Sequence, residues 1–529
     1  MAQSLLLRLA RRPSRRAFVA LFLVLAVAAC AALAPKRPDG PVRLVVLHTN
    51  DVHGQVHPRK ATWLDRQNPP AIGGLPRLAA YVAHERRALE ELGLEPIVVD
   101  CGDWYQGTPE GSLEQGLGFV TALGHVGYDV LCLGNHEFDH GIANARRLAK
   151  ATGSRAVCAN LRDPKTGERL DWIEPWRIVE RGGLRIALVG LLTPETPSIS
   201  HPETRTIHFS DPAEELTIVK RELAGRCDLI FPVAHLGVDE SLAVAHLHPD
   251  LPLFLTGHSH TYLKEGKRDG AGLVVQTGAK ASACGRVELL VDGPTAKVLD
   301  VRATLIDLLD EPLEQDRVPE VERICAELAQ RAEVGMARVV GELAVPLKAG
   351  RGPLSTLAGN WVADLVREHA GAEVGMHNRG GTRAEIDAGP VTVRELFEML
   401  PFDNDVVLLE MSGADLESVV RGALEGTVHS GLDYSGLVAH ARASEVDGKK
   451  RLELVRVEVG GAPLDPARTY KVAVNSFLAG GGDGFAEFSR SRRLSQDPAL
   501  LRDVAEAWFA RATGPVEPPA DARIVEVQP

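Results

Sequence analysis

His48-Thr49-Asn50-Asp51-Val52-His53-Gly54 follows directly on the apolar run Val42–Leu47. A β-branched run that breaks off in a polar, glycine-ended loop reads as a buried strand delivering that loop to one edge of a sheet. The arrangement recurs along the chain. Pro96–Val99 ends in Asp100-Cys101-Gly102-Asp103, and Val130–Leu133 ends in Gly134-Asn135-His136-Glu137-Phe138-Asp139. Asp228–Val233 leads into Ala234-His235-Leu236-Gly237, and Pro252–Leu255 into Thr256-Gly257-His258-Ser259-His260. Leu184–Leu192, Gly272–Val275 and Val287–Val291 are further runs of the same kind. Between them, Leu75, Leu78, Ala79, Val82 and Leu89 recur on one face of a helix predicted over Leu75–Leu92. Short apolar runs alternating with helical patterns indicate an α/β layered fold.

In such a sheet, ligands bind at the carboxyl ends of the strands, so the polar loops converge. Their residues are Asp, Asn and His, donors that suit Zn, Mn, Fe or Co. Taken singly, each loop is ordinary. Asp-x-His makes turns, Asn-His-Glu caps helices, and two histidines two apart can be plain surface residues. The order of the loops, each on its own strand end, sets these ordinary readings aside, and seven such donors are enough for two metals sharing a bridge.

The set Asp-x-His, Gly-Asp, Gly-Asn-His-Glu and Gly-His-x-His resembles the calcineurin-like metallophosphoesterases. The longer forms around residues 48–54, 134–141 and 256–260 resemble the bacterial 5′-nucleotidase and UDP-sugar hydrolase family. The resemblance implies an N-terminal four-layer α/β/β/α sandwich and a C-terminal α/β nucleotide-binding domain joined by a helix. It implies that Asp51, His53 and His260 bind one divalent ion, that Asn135, His235 and His258 bind the other, and that Asp103 bridges them. Some nucleotidases have glutamine where this chain has His260. His136, paired with Asp139, is implied to stand beside the transferring phosphoryl group. The reaction implied is attack on phosphorus by a hydroxide that the two metals generate.

Metals alone specify a phosphoester and little more. Asn378-Arg379-Gly380-Gly381-Thr382-Arg383 resembles the substrate-contacting Asn-Gly-Gly-Gly-Ile-Arg turn of the nucleotidases. The outer Asn378 and Arg383 are kept; Arg379 and Thr382 depart from it. An arginine there suits phosphate by bidentate hydrogen bonding. Phe402 and Phe477 lie in polar, glycine-rich loops, where the family sandwiches a base; such stacking is worth roughly 1–3 kcal/mol per base. The acid matching Asp483 binds the sugar hydroxyls in the family. For a further family arginine, Arg351 is the nearest candidate, one residue off the usual offset.

The chain has 529 residues, 45% hydrophobic and 25% charged, an ordinary globular balance that favours two domains. Residues 310–336 are charged and space Val321, Ile324, Cys325 and Leu328 as a helix, taken as the connector between a unit at 42–309 and one at 337–527. Strands are expected there near Val406–Leu409, Glu453–Val459 and Tyr470–Val474. A net charge of −12 disfavours polymeric nucleic acid but not a small phosphorylated ligand. The first 29 residues carry five arginines and no acid, and an apolar run, Ala17–Ala29, follows Arg16. This reads as an export signal, too short to span a bilayer. Val27-Ala28-Ala29-Cys30 resembles a lipoprotein cleavage box with Cys30 lipidated, and Ser14-Arg15-Arg16-Ala17-Phe18-Val19 a twin-arginine motif. A membrane-anchored lipoprotein facing the periplasm or cell exterior is expected. The other six cysteines show no CxxC pair, and their spacing fixes no disulfide.

The activity expected is hydrolysis of nucleoside 5′-phosphates to nucleoside and phosphate. A 2′,3′-cyclic nucleotide phosphodiesterase or UDP-sugar hydrolase keeps the chemistry and changes the substrate. A sulfur-oxidation thiosulfohydrolase of the same architecture, and a binding protein that kept the fold without activity, are the alternatives of other classes.

Overall fold

The computed structural model describes residues 37–527, apart from 62, 63, 66, 271, 310–312, 350–353, 447 and 448. The expected signal segment, Cys30 and Arg351 lie outside the described residues.

Two six-stranded sheets face each other in the first half of the chain. One runs in the order Lys297–Asp307, Ala283–Asp292, Pro41–Thr49, Ile97–Asp100, Val130–Cys132, Ala156–Val157. The other runs Lys267–Asp269, Gly272–Val275, Leu253–Thr256, Leu229–His235, Leu184–Leu192, Trp176–Arg181. Central strands such as Ile97–Asp100 and Leu253–Thr256 are buried at every position, because both of their faces are covered. Val46, Val99, Val130, Leu188, Phe231 and Leu255 fill the layer between the sheets. On the outer face of the first sheet, Leu47, Val98 and Leu131 pack under helices Leu75–Glu90 and Gly141–Ala151. Val189, Ala234 and Phe254 do the same under Pro212–Glu222 and Val238–Leu247. The result is a four-layer α/β/β/α sandwich.

The strands that carry the polar loops run parallel, so those loops leave at the same edge. Val46 pairs with Ile97, Val99 with Val130, Leu229 with Ile186 and Val233 with Leu255, all in parallel register. Several strands continue further than the apolar runs do. His48 and Thr49 pair with Val99 and Asp100, and His235 pairs with Leu192. Backbone pairing takes no account of side-chain polarity, so the ladder extends into the motif itself.

Helix Pro319–Glu333 lies in the segment between the two halves. Its Val321, Ile324, Cys325 and Leu328 are buried in the same core as Leu75 and Phe119. The second half is built on a five-stranded sheet, Leu432–Ser435, Val374–Asn378, Thr469–Asn475, Asp405–Ser412, Arg492–Leu500. Helices Leu357–Ala370 and Leu501–Phe509 cover one face through Trp361, Leu365 and Val504. Helix Gly413–Glu425 and a four-stranded sheet containing Leu437–Val446 and Lys449–Val459 cover the other. No helix among the described residues is long and apolar enough to cross a membrane. The six described cysteines are free thiols.

Candidate active site

The strand-end loops are tied together before any side chain is considered. Asp51 N–H donates to Gly102 O at 2.9 Å, His53 N–H to Asp103 O at 3.1 Å, and Gly54 N–H to Trp104 O at 2.8 Å. Five of the residues so placed have left-handed backbone: Asp51 (φ 52°), His53 (50°), Asp103 (61°), His258 (81°) and His260 (53°). This region is unfavourable for residues with a Cβ, and such strain concentrates at functional sites.

Two groups of side chains result. Asp51, His53 and His260 present ligand atoms within 4.8 Å of one another, and Asp103, His235 and His258 do the same. Asp51 Oδ1 is 3.2 Å from His260 Nε2 and 3.8 Å from His53 Nε2. The two imidazole Nε2 atoms stand 3.0 Å apart. His53 Nδ1 faces Gln106 O at 2.7 Å and His235 Nδ1 faces Cys101 O at 2.7 Å. A carbonyl only accepts, so both rings carry a proton on Nδ1 and turn Nε2 inward. Asp103 Oδ2 lies 3.1 Å from His235 Nε2 and 3.9 Å from His53 Nε2, between the groups. Asn135 Oδ1 is buried with no hydrogen-bond partner in the protein.

Carboxylate oxygens and ring nitrogens that converge in this way fit cations, not an apolar core. The donor set of imidazole, carboxylate and amide oxygen also fits divalent metals. Burial and the His260 ring hold His53 well below the usual imidazole range, and burial holds His258 at about 3. Neutral imidazole is the ligating form. His235 goes the other way: burial would lower it, but the Asp103 and Asp51 carboxylates raise it to about 10. The pocket thus has negative charge to spare for a cation.

The carboxylate of Glu137 holds the frame. It accepts from the backbone N–H of Asp103 (3.0 Å), Trp104 (2.8 Å) and Gly134 (2.7 Å). Asn50 does the same for Asp51, donating to its Oδ2 at 2.6 Å and accepting from Thr277 N–H at 2.8 Å. His136 is buried and its Nδ1–H donates to Asp139 Oδ2 at 2.8 Å. Burial lowers its pKa, yet Asp139 and Asp103 outweigh that and leave it raised.

The second half of the chain closes over this centre. The Phe402 ring stacks on His136 with centroids 5.7 Å apart, and Arg383 lies over Phe402 with Nη2 at 3.4 Å from His53 Nε2. Asn378 and Asn475 end their strands as the metal-side residues end theirs. Asn475 Nδ2 donates to Asn378 Oδ1 at 2.9 Å, and Asn378 Nδ2 donates to Asp483 Oδ2 at 2.9 Å. A Cβ at Gly482 would come within 2.5 Å of the Phe477 ring, so that glycine lets the loop fold flat beneath the ring. Arg379, standing where the resembling motif has glycine, bends back to Asp433 at 3.4 Å. A cleft of about 1130 Å³ takes in Asp103, Asn135, His136, Arg383, Phe402, Phe477 and Asp483 together.

Three residues stand out here that the sequence reading did not mark. Glu195 and His429 pair across the cleft at 2.6 Å and, with His258, form a third group of convergent ligand atoms. Gln106 lines the cleft floor beside Asp103. Glu195 and His429 sit in loops far apart in sequence, and nothing local distinguishes them.

Residues 44–262 match the family model for calcineurin-like phosphoesterases, and residues 339–490 that for the 5′-nucleotidase C-terminal domain. The chain is 26% identical to Protein UshA of Escherichia coli (strain K12), over 92% of this chain and 94% of that one. The structure of a 5′-nucleotidase precursor from Thermus thermophilus superposes with a TM-score of 0.81 at 27% identity, covering 92% of this chain and all of that one. The sulfate thiohydrolase SoxB of Thermus thermophilus shares the fold, with a TM-score of 0.77 at 19% identity over 92% and 96% of the two chains. Two matched domains in this order, with the strand-end loops meeting the second domain in one cleft, mean that the chain belongs to the family that couples a calcineurin-like phosphoesterase domain to a 5′-nucleotidase C-terminal domain.

Proposed function

We propose that this phosphoesterase hydrolyses nucleoside 5′-phosphates to nucleoside and phosphate. The observation that carries the reading is the shared cleft: two ligand groups meeting at Asp103, and Phe402, Arg383, Phe477 and Asp483 of the other domain lining the same space. Asp51, His53 and His260 would hold one divalent ion, and Asn135, His235 and His258 a second, with Asp103 between; Zn, Mn, Co and Fe all suit these donors. When bound, two such ions polarise phosphoryl oxygens and acidify a water molecule.

The remaining roles fall to the chain itself. His136, whose charged form Asp139 favours, presents its other N–H to the phosphoryl or leaving oxygen and offsets the charge that develops there. Arg383 takes the phosphate and Asn378 helps orient the substrate. Phe402, backed by His136, supplies one plate for the base and Phe477 the second. Asp483 accepts from the sugar hydroxyls. On this reading residues 42–309 carry the chemistry and 337–527 the substrate. Export and a lipid on Cys30 are supported by the leader sequence and would place the site outside the cytoplasm, at a membrane surface.

The deciding experiment is a phosphate-release screen over nucleoside monophosphates, cyclic nucleotides and UDP-sugars, with and without chelator and metal add-back. AMP hydrolysis is expected to vanish on chelation and return with metal. Equal AMP hydrolysis by the stripped protein, or no release from any nucleotide by the loaded one, would reject the reading.

A further inference from the structure

Gln106 lies on the loop that follows strand Ile97–Asp100, three residues after Asp103. Its backbone is pinned: the carbonyl accepts from His53 Nδ1 at 2.7 Å. The next residue, Gly107, has φ 140°, and a Cβ there would come within 3.0 Å of His53 O and 3.2 Å of His53 Cβ. Gln106 is 4% exposed, it lines the same cleft as Asp103, Asn135 and His136, and neither Nε2 nor Oε1 has a partner in the protein. Trp104 and Tyr105 also carry unpartnered buried polar atoms, but they do not line the cleft.

A buried amide with both ends unpartnered is costly, and proteins keep one where a ligand completes it. The ligand must offer an acceptor and a donor side by side. Hydrolysis of a phosphoester brings both to one place: a phosphoryl oxygen, which accepts, and a water, which donates. We propose that Gln106 is a further catalytic residue of this site, its Nε2–H donating to a phosphoryl oxygen and its Oε1 accepting from the attacking water. The amide does not ionise and takes no proton. It fixes the line of approach of water to phosphorus, as a glutamine does in other phosphoryl-transfer enzymes. The inference rests on the phosphoesterase reading above.

The test uses the full, metal-loaded chain with Gln106→Ala and the isosteric Gln106→Glu. Both should lower kcat for AMP by about 10²-fold, the scale of losing one oriented donor, with a much smaller change in KM. Orthophosphate binding, followed by calorimetry, should weaken in both variants, and more in Gln106→Glu, which sets an anion against the phosphate. Metal content should equal that of the wild type. Wild-type kcat and orthophosphate affinity in both variants would overturn the proposal. So would loss of bound metal in both, which would make Gln106 a support for His53. If the wild type hydrolyses no nucleotide, the phosphoesterase reading fails on its own, and the orthophosphate measurement still decides the role of Gln106.

Discussion

Asp483 is the residue whose environment makes the most specific statement. Burial pushes its carboxyl up to about 6, against the pull of His429 and of the Asn378 amide. The sign follows directly. The ionised form is disfavoured in the folded protein, so its favourable share of stability is present below the unfolded carboxylate pKa and is lost as pH rises through about 6. Binding of sugar hydroxyls needs the opposite state, because only the carboxylate accepts from two of them. Adenosine, which carries no titrating phosphate, should therefore bind more weakly as pH falls from 7 to 5. Asp483→Asn should bind it weakly at all these pH values, without loss of thermal stability at pH 8. An affinity for adenosine that is flat with pH in the wild type would remove Asp483 from the sugar site. Asp483 was marked in the sequence only through the resemblance of its glycine-rich loop to that of the nucleotidases. Its raised pKa was not, because burial and the opposing pulls of Asn378 and His429, 105 and 54 positions away, arise only in the folded chain. The same holds for the left-handed backbone at Asp51, His53, Asp103, His258 and His260. Their residue types carried the chemical signal, while their strain belongs to the packed loops.

At the scale of elements, the strand ends do the positioning, and glycine sets how closely they approach. A Cβ at Gly134 would lie 2.2 Å from Asp103 Oδ1 and 2.5 Å from Asp103 N. Gly134 and Asp103 end neighbouring parallel strands whose loops share the Glu137 carboxylate. Gly134→Ala should thus push Asp103 from its place while leaving the sheets intact. Metal retained after dialysis, measured by elemental analysis, should fall well below that of the wild type, and the circular dichroism should be unchanged. Full metal retention with wild-type activity would show that the loops yield without cost. The strand runs and the order of their loops were readable because apolar β-branched residues end where polar ones begin. The exact strand limits were not, since His48, Thr49 and His235 remain in the ladder through backbone pairing alone. Helix Pro319–Glu333 was readable from its period, but its apolar stripe alone could not tell which half it covers; Leu328 and Cys325 settle into the first core.

At the scale of the whole molecule, the two halves meet through polar contacts and the Phe402–His136 stack. Each buried apolar cluster draws its residues from one half only, among the described residues. Between the halves stand Glu195 with His429 at 2.6 Å, Arg205 Nη2–H donating to Gly480 O at 2.7 Å, and Arg394 with Glu110 at 2.7 Å. An interface of this kind permits the halves to move, whereas a shared apolar core would not. Substrate would then be taken up by the second half and its phosphate brought to the metal-side residues by rotation, with these contacts fastening the closed form. Glu195 is 53% and His429 31% exposed in their side chains, so that pair is worth at most about 1 kcal/mol. Losing it alone should change the closed-to-open ratio by no more than about 5-fold. Glu195→Gln combined with Arg205→Gln weakens two fasteners and leaves Asp51, His53, Asp103, Asn135, His235, His258, His260 and Phe402 in place. Solution scattering should report a larger mean radius of gyration for this double variant, and KM for AMP should rise in step. Identical scattering and identical KM would mean that the closed form is held by the Arg394–Glu110 pair, whose carboxylate is buried, or that the halves do not separate at all.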